Sequence, residues 1–350
     1  MAAEPRTVRA FAAMKAGLTV ETWEYQAAPL LPLDVEIAIS HCGVCGSDVH
    51  AITEGWGPAL GANNYPMVPG HEVIGTVTAV GSAVTDLKLG ERVGVGPAVG
   101  SCGECSECIQ GKDAYCPKGV FTYNGRRPDG SITYGGYAEY MRLDSRYAFK
   151  IPEVLPSDAA APLLCAGVTV YTPLREHVKP GQRVGVVGIG GLGHLALQFI
   201  RALGAEPVAF SQSPNKEEQA RELGAVDFVN MANPAAFGKA QRSLDALIVT
   251  ADAKGQPYDA YLSFIRPHGV FMLVGAPEDN FSISPFSLLA SNVTVVGSLA
   301  GSRRDMKDML ALAAAKNVRP VIQKLPMKDA NKGLQMVNEG RARYRVVLEN

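Results

Sequence analysis

The stretch Arg183-Val184-Gly185-Val186-Val187-Gly188-Ile189-Gly190-Gly191-Leu192-Gly193 narrows the fold of this chain more than any other. An apolar strand passes straight into a glycine turn, and His194-Leu195-Ala196-Leu197-Gln198-Phe199-Ile200 then reads as an amphipathic or buried helix. G-x-G-x-x-G alone carries little, but between a strand and a helix it is the fingerprint of a dinucleotide fold. The glycines permit a tight turn and close approach of a pyrophosphate, and the helix N-terminus offers free N–H donors and the positive end of its dipole. A turn that merely packs helix on strand is the plainer alternative. From about Pro156 onward, Ala-rich helical stretches alternate with buried strands at 207–210, 246–249 and 270–274, so a parallel, doubly wound sheet is expected over 156–297.

Upstream, from about Val8 to Pro152, short strand-like runs such as Val35-Glu36-Ile37-Ala38-Ile39 and Val73-Ile74-Gly75-Thr76-Val77-Thr78-Ala79-Val80 are broken by Gly, Pro, Asn and Asp. That pattern predicts a β-rich domain with long functional loops. After Gly297 a helix at 304–316 and a closing strand at 344–348 are assigned back to it, giving a two-domain α/β chain: 1–155 with 298–350, and 156–297. A length of 350 residues suits two such cores. With 33 basic and 34 acidic side chains nearly cancelling, nothing favours nucleic acid or an anionic membrane as partner. The first 13 residues lack the apolar core of a secretory signal, and no run approaches the roughly 18 apolar residues of a membrane span. A cytoplasmic enzyme is the expectation.

Cys102, Cys105, Cys108 and Cys116 lie among Gly, Ser, Glu and Lys, without the periodicity of core residues. Four thiolates in a polar loop suit a structural zinc, whose closed shell leaves no position for chemistry. About 20 residues past the glycines, a fold that binds a free ribose 2′-hydroxyl ends its second strand in Asp or Glu. Here the chain reads Phe210-Ser211-Gln212-Ser213-Pro214-Asn215-Lys216. Ser211, Ser213 and Lys216, with no carboxylate at the strand end, suit a 2′-phosphate that an Asp would repel, so NADP is expected over NAD. Ser213-Pro214-Asn215 also reads as the cap of the next helix.

Taken in order, Gly43-Val44-Cys45-Gly46-Ser47-Asp48-Val49-His50, Gly70-His71-Glu72, the four-cysteine segment, Pro162-Leu163-Leu164-Cys165-Ala166-Gly167-Val168-Thr169, the glycine turn and Arg343-Tyr344-Arg345-Val346-Val347-Leu348 span essentially the whole chain. Together they resemble the zinc-dependent medium-chain alcohol dehydrogenases, and more closely their cinnamyl alcohol dehydrogenase subfamily. The resemblance implies a GroES-like catalytic domain, a Rossmann domain, an active site in the cleft between them and two zinc ions per chain. It casts Cys45, His71 and Cys165 as ligands of a catalytic zinc with an open fourth position, Glu72 as a transient ligand, and Asp48 as the carboxylate that orients the histidine. Singly, the two cysteines could be small core residues and His71 a satisfied turn histidine; only Cys42 is then left outside a metal set, which fits a reducing compartment.

By the same resemblance Ser47 hydrogen-bonds the substrate alcohol and His50 ends a proton relay, unless His50 is a plain surface histidine. Thr169, Gly188, Gly190, Gly191, Leu192 and Gly193 are expected at the coenzyme. Phe121 stands where plant members commonly carry Trp, Trp56 is a second candidate pocket wall, and Gly46 replaces the subfamily's frequent His. The expected reaction is NADP(H)-dependent interconversion of a primary alcohol and aldehyde, aromatic or medium-chain aliphatic, mainly as aldehyde reduction. A homodimer is expected through the strand at 292–298. A polyol dehydrogenase is the runner-up, and a zinc- and NADP-binding sensor without turnover the reading from another class.

Overall fold

The computed structural model describes residues 6–57 and 63–350. It divides into two compact units, one of Met1–Cys165, Ser302–Ala314 and Arg319–Asn350, the other of Ala166–Gly301 and Ala315–Val318. The division falls at Cys165, ten residues beyond the boundary expected at residue 155, because helix Ser157–Pro162 packs on the strands of the first unit. An Ala-rich segment announces a helix but not the sheet it packs on.

The first unit is built on a seven-stranded sheet around the long strand Asp34–Val44. That strand pairs antiparallel with Val73–Val80 on one side, and with Tyr140–Asp144 and then Arg345–Glu349 on the other. Its register shifts between Ile39 and His41, and the inward side passes from Val35, Ile37 and Ile39 to Cys42 and Val44. One inserted residue exchanges the two faces of a strand. The closing strand thereby runs beside Gly43 and Val44, bringing the C-terminal Arg345 next to the segment that ends in Cys45.

The second unit is a six-stranded, all-parallel sheet. Its order is Asp227–Asn230, Glu206–Ser211, Arg183–Val187, Leu244–Val249, Ile265–Leu273 and Thr294–Gly297. Val184, Val186, Val187, Leu247, Ile248 and Val249 have no exposed surface, as central strands covered on both faces require. The order reverses between Arg183–Val187 and Leu244–Val249, the switch point at which such sheets bind ligands. Among the described residues no helix is long and apolar enough to cross a membrane.

Candidate metal centres and dinucleotide turn

Three elements converge on one cluster in the first unit. Cys45 caps helix Gly46–Thr53; His71 and Glu72 precede strand Val73–Val80; Cys165 lies in a π-helical turn, Leu163–Gly167. Such turns shift side chains out of α-helical register and are frequent at functional sites. The ligand atoms of Cys45, His71, Glu72 and Cys165 all lie within 4.8 Å of one another, and all four residues are buried. Cys45 Sγ and Cys165 Sγ are 3.8 Å apart. That is about the 3.8 Å separation of two thiolates each ~2.3 Å from a tetrahedral zinc, and well beyond a disulfide bond of ~2.05 Å. His71 Nε2 lies 3.1 Å from Cys165 Sγ.

Asp48 organises this set. Being in the first turn of its helix, it accepts the Cys45 N–H at 2.9 Å; it also accepts the Gly70 N–H and His71 Nδ1–H at 3.1 Å each, with the Tyr137 hydroxyl at 3.4 Å. One fully buried carboxylate thus ties the two ligand loops together and, by taking the proton side of the imidazole, leaves Nε2 to face a metal. Burial alone would lower the His71 pKa, but the charge of Asp48 and its hydrogen bond outweigh burial and hold it well above its ordinary value. The Cys165 thiol donating to Cys45, helped by His71, pulls the Cys45 thiol well down.

Glu72 pairs with Arg345 through one oxygen, while its Oε2 is buried without a hydrogen-bond partner. Burial raises this carboxyl to about 7 against the pull of Arg345. An orphaned buried carboxylate oxygen among thiols is costly by itself and suited to a cation. Gly43 makes room for it: a Cβ there would sit 1.9 Å from Oε2. The donors fit zinc, which Cys45, His71 and Cys165 would hold with the Glu72 carboxylate close by.

Four of the other five thiols form a second cluster, with Cys102 and Cys108 Sγ 3.9 Å apart, Cys105 and Cys116 3.9 Å, and Cys102 and Cys116 3.5 Å. These too are tetrahedral zinc–thiolate separations rather than disulfides. The N–H groups of Glu104 and Cys105 bring the Cys102 thiol down to about 6. Asp113, between Cys108 and Cys116, bonds no cysteine side chain; it accepts from Tyr147 at 3.0 Å and pairs with Arg303 at 3.2 Å.

In the second unit the glycine turn joins strand Arg183–Val187 to helix Gly193–Ala202. Gly188 has φ +89°, and a Cβ on Gly193 would meet Gly188 O at 1.9 Å, so backbone packing demands both glycines. A Cβ on Gly190 would meet nothing within 4 Å. No described residue fills that space, and close approach of a pyrophosphate would use it. At the end of the neighbouring strand, Ser211 Oγ accepts the Ser213 N–H at 3.1 Å, and Lys216 Nζ reaches Ile189 O at 2.7 Å. These three expected coenzyme residues therefore stand on one edge of the turn.

Residues 32–153 match the family model described as "Alcohol dehydrogenase GroES-like domain" and residues 191–315 that described as "Zinc-binding dehydrogenase". The chain is 43% identical over 319 residues to "Probable cinnamyl alcohol dehydrogenase 3" of Oryza sativa subsp. japonica, covering 90% of this chain and 86% of the relative. The chain belongs to the zinc-containing medium-chain alcohol dehydrogenases. A cinnamyl alcohol dehydrogenase from Sorghum bicolor superposes with a TM-score of 0.94 at 37% identity over 98% of each chain. The Helicobacter pylori cinnamyl alcohol dehydrogenase, whose structure is described as complexed with NADP(H), does so with 0.91 at 31% over 99% of each. Within this group the substrate varies, the names of relatives including cinnamyl alcohol, formaldehyde and mannitol dehydrogenases.

The other expected residues of this family member have their own local settings. Ser47 Oγ is 3.6 Å from Cys45 Sγ, and the His50 ring stacks on Trp56 with centroids 4.6 Å apart. Phe121 ends the short strand Val120–Phe121 with half its surface exposed, and Thr169 is half-buried in the first turn of helix Val168–His177. Two contacts escaped the sequence reading. The Tyr123 ring lies 5.5 Å from that of His71; Arg345 partners Glu72 from 273 residues away. A charge inside the apolar run Tyr344-Arg345-Val346-Val347 was the only signal of the latter, and Tyr123 had none.

Proposed function

We propose that this alcohol dehydrogenase uses NADP(H) and works mainly as a reductase of aromatic or medium-chain aliphatic aldehydes. The observation that carries the reading is the buried Cys45, His71 and Cys165 set with its open side and Ser47 adjacent. When bound, zinc supplies a Lewis acid for the carbonyl oxygen, and the nicotinamide supplies the hydride.

The chain's own residues do the rest. Asp48 keeps His71 in the tautomer that presents Nε2. Ser47 delivers the proton that the product oxygen needs and is resupplied through His50, whose ring Trp56 holds in a stacked position. Trp56, Tyr123 and Phe121 offer aromatic surface for an apolar substrate. For the coenzyme, the missing strand-end carboxylate, Ser211, Ser213 and Lys216 support a 2′-phosphate, and the NADP(H) complex of the Helicobacter pylori relative agrees. A homodimer is supported by Thr294–Gly297, which ends its sheet, and by the exposed Phe286, Leu289 and Leu299; light scattering of the purified protein tests it.

The deciding assay is coenzyme oxidation by the zinc-loaded protein with NADPH or NADH against aromatic aldehydes, aliphatic aldehydes and fructose. Turnover of aldehydes preferring NADPH is expected. A preference for fructose would move the reading to a polyol, a substrate class present among the relatives' names. No turnover with two zinc ions and coenzyme bound would favour a sensor. Ser211→Asp should shift the NADPH:NADH preference about tenfold or more toward NADH, through like-charge repulsion of about 1.4 kcal/mol or more. An unmoved ratio would remove the 2′-phosphate argument.

A further inference from the structure

Glycine turns are permissive: without Cβ atoms they populate many backbone states, so something else must select the one that binds an anion. Here the carbonyls of Gly188, Ile189 and Gly190 are each held by a side chain. Thr250, just past strand Leu244–Val249, has its hydroxyl 2.7 Å from Gly188 O and 3.0 Å from Val187 O. His194 Nδ1 is 3.0 Å from Gly190 O. A carbonyl only accepts, so that nitrogen carries the proton. Lys216 holds Ile189 O. The amides of Ile189, Gly190, Gly191 and Leu192, by contrast, donate to no backbone carbonyl among the described residues. The turn occupies the oxygens of Gly188, Ile189 and Gly190 and leaves its N–H groups available, which is the polarity an anion requires. His194 is fully buried and Thr250 nearly so, which strengthens both bonds.

We propose that Thr250 and His194 are positioning residues for the coenzyme pyrophosphate. By holding Gly188 O and Gly190 O they fix the two peptide planes that carry the Ile189 and Gly191 amides, without touching the phosphates themselves. The glycines make the conformation accessible; these two side chains select it. The proposal rests on the turn being the dinucleotide site, and it adds two residues that the glycine pattern does not contain.

Fluorescence titration of the zinc-loaded protein with NADPH, NADH and adenosine 2′-monophosphate tests it. Thr250→Val keeps the shape and removes the donor; Thr250→Ser keeps the donor. The valine variant should bind NADPH about tenfold more weakly, equivalent to about 1.4 kcal/mol, and the serine variant like the wild type. Adenosine 2′-monophosphate, which has no pyrophosphate, should bind all three equally, and kcat at saturating coenzyme should fall less than kcat/KM. Unchanged NADPH affinity in Thr250→Val would overturn the proposal. So would a matching loss for the monophosphate, which would mark general loosening of the unit. Should Thr250→Val not fold, His194→Leu against His194→Asn makes the same comparison at Gly190 O. If the wild type binds NADH but neither NADPH nor the monophosphate, the NADP reading fails, and the NADH titration decides the positioning role. Binding of neither dinucleotide would overturn both.

Discussion

Cys102, Cys105, Cys108 and Cys116 fall within one short excursion of the chain, whereas Cys45 and Cys165 meet across 120 residues, with His71 from a third element. Each set has a buried aspartate nearby, and the two aspartates do opposite things. Asp48 accepts from the backbone of both ligand loops and from the ligand histidine itself. Asp113 reaches outward from its loop to Tyr147 and Arg303 and touches no thiol side chain. Ligands dispersed in sequence need an outer partner to hold them in register, while a compact four-thiolate loop orders its own ligands and needs only an anchor to the body. A closed shell suits a structural role and an open one a chemical role.

The comparison is broken most readily at Cys165. Cys165→Ser should lose one of two zinc ions by elemental analysis and reduce turnover by more than the roughly 10–100-fold that loss of an outer partner costs; full zinc content with normal turnover would disprove the ligand assignment. Asp48→Asn should cost roughly 10–100-fold in zinc affinity or activity, because the amide cannot accept from three N–H donors as a carboxylate does. Retention of both zinc content and kcat would show the ligand loops to be self-supporting. Cys116→Ser should also lose one zinc, yet it should lower the melting temperature with kcat at low temperature largely kept. A loss of kcat matching that of Cys165→Ser would erase the distinction between the sites. The smallest effect is expected for Asp113→Asn: both zinc ions and kcat retained, with the melting temperature lowered by roughly 2–4 °C per kcal/mol of lost anchoring. Zinc loss from that variant would give Asp113 the role argued here for Asp48 alone.

Much of this was legible in the residues. The strand–glycine turn–helix run located the second unit, since hydrophobic periodicity and the steric demands of Gly188 and Gly193 are local properties. The strands near 35–39 and 73–80 appear as Asp34–Val44 and Val73–Val80, and the helix near 304–316 as Arg303–Ala315. The division at Cys165 was not legible, because helix Ser157–Pro162 takes its place from the sheet beneath it. Nor was the pairing of Arg345 with Glu72, which follows from the closing strand lying beside Asp34–Val44.

By itself, then, the sequence determined the ligand types, the compact thiolate loop, the alternation of strand and helix and the glycines of the turn, all of which are set by residue chemistry over a few neighbours. Only the tertiary structure decided that Asp48 binds two loops at once, that Tyr123 stands against His71, and that Thr250 and His194 clamp the carbonyls of the turn. Apart from the local bonds of Asp48 to the Cys45 N–H and of His194 to Gly190 O, those are hydrogen bonds and ring contacts between side chains and groups on distant segments. No spacing in the chain encodes them, because their geometry exists only once strands and helices have packed and water has been excluded from between them.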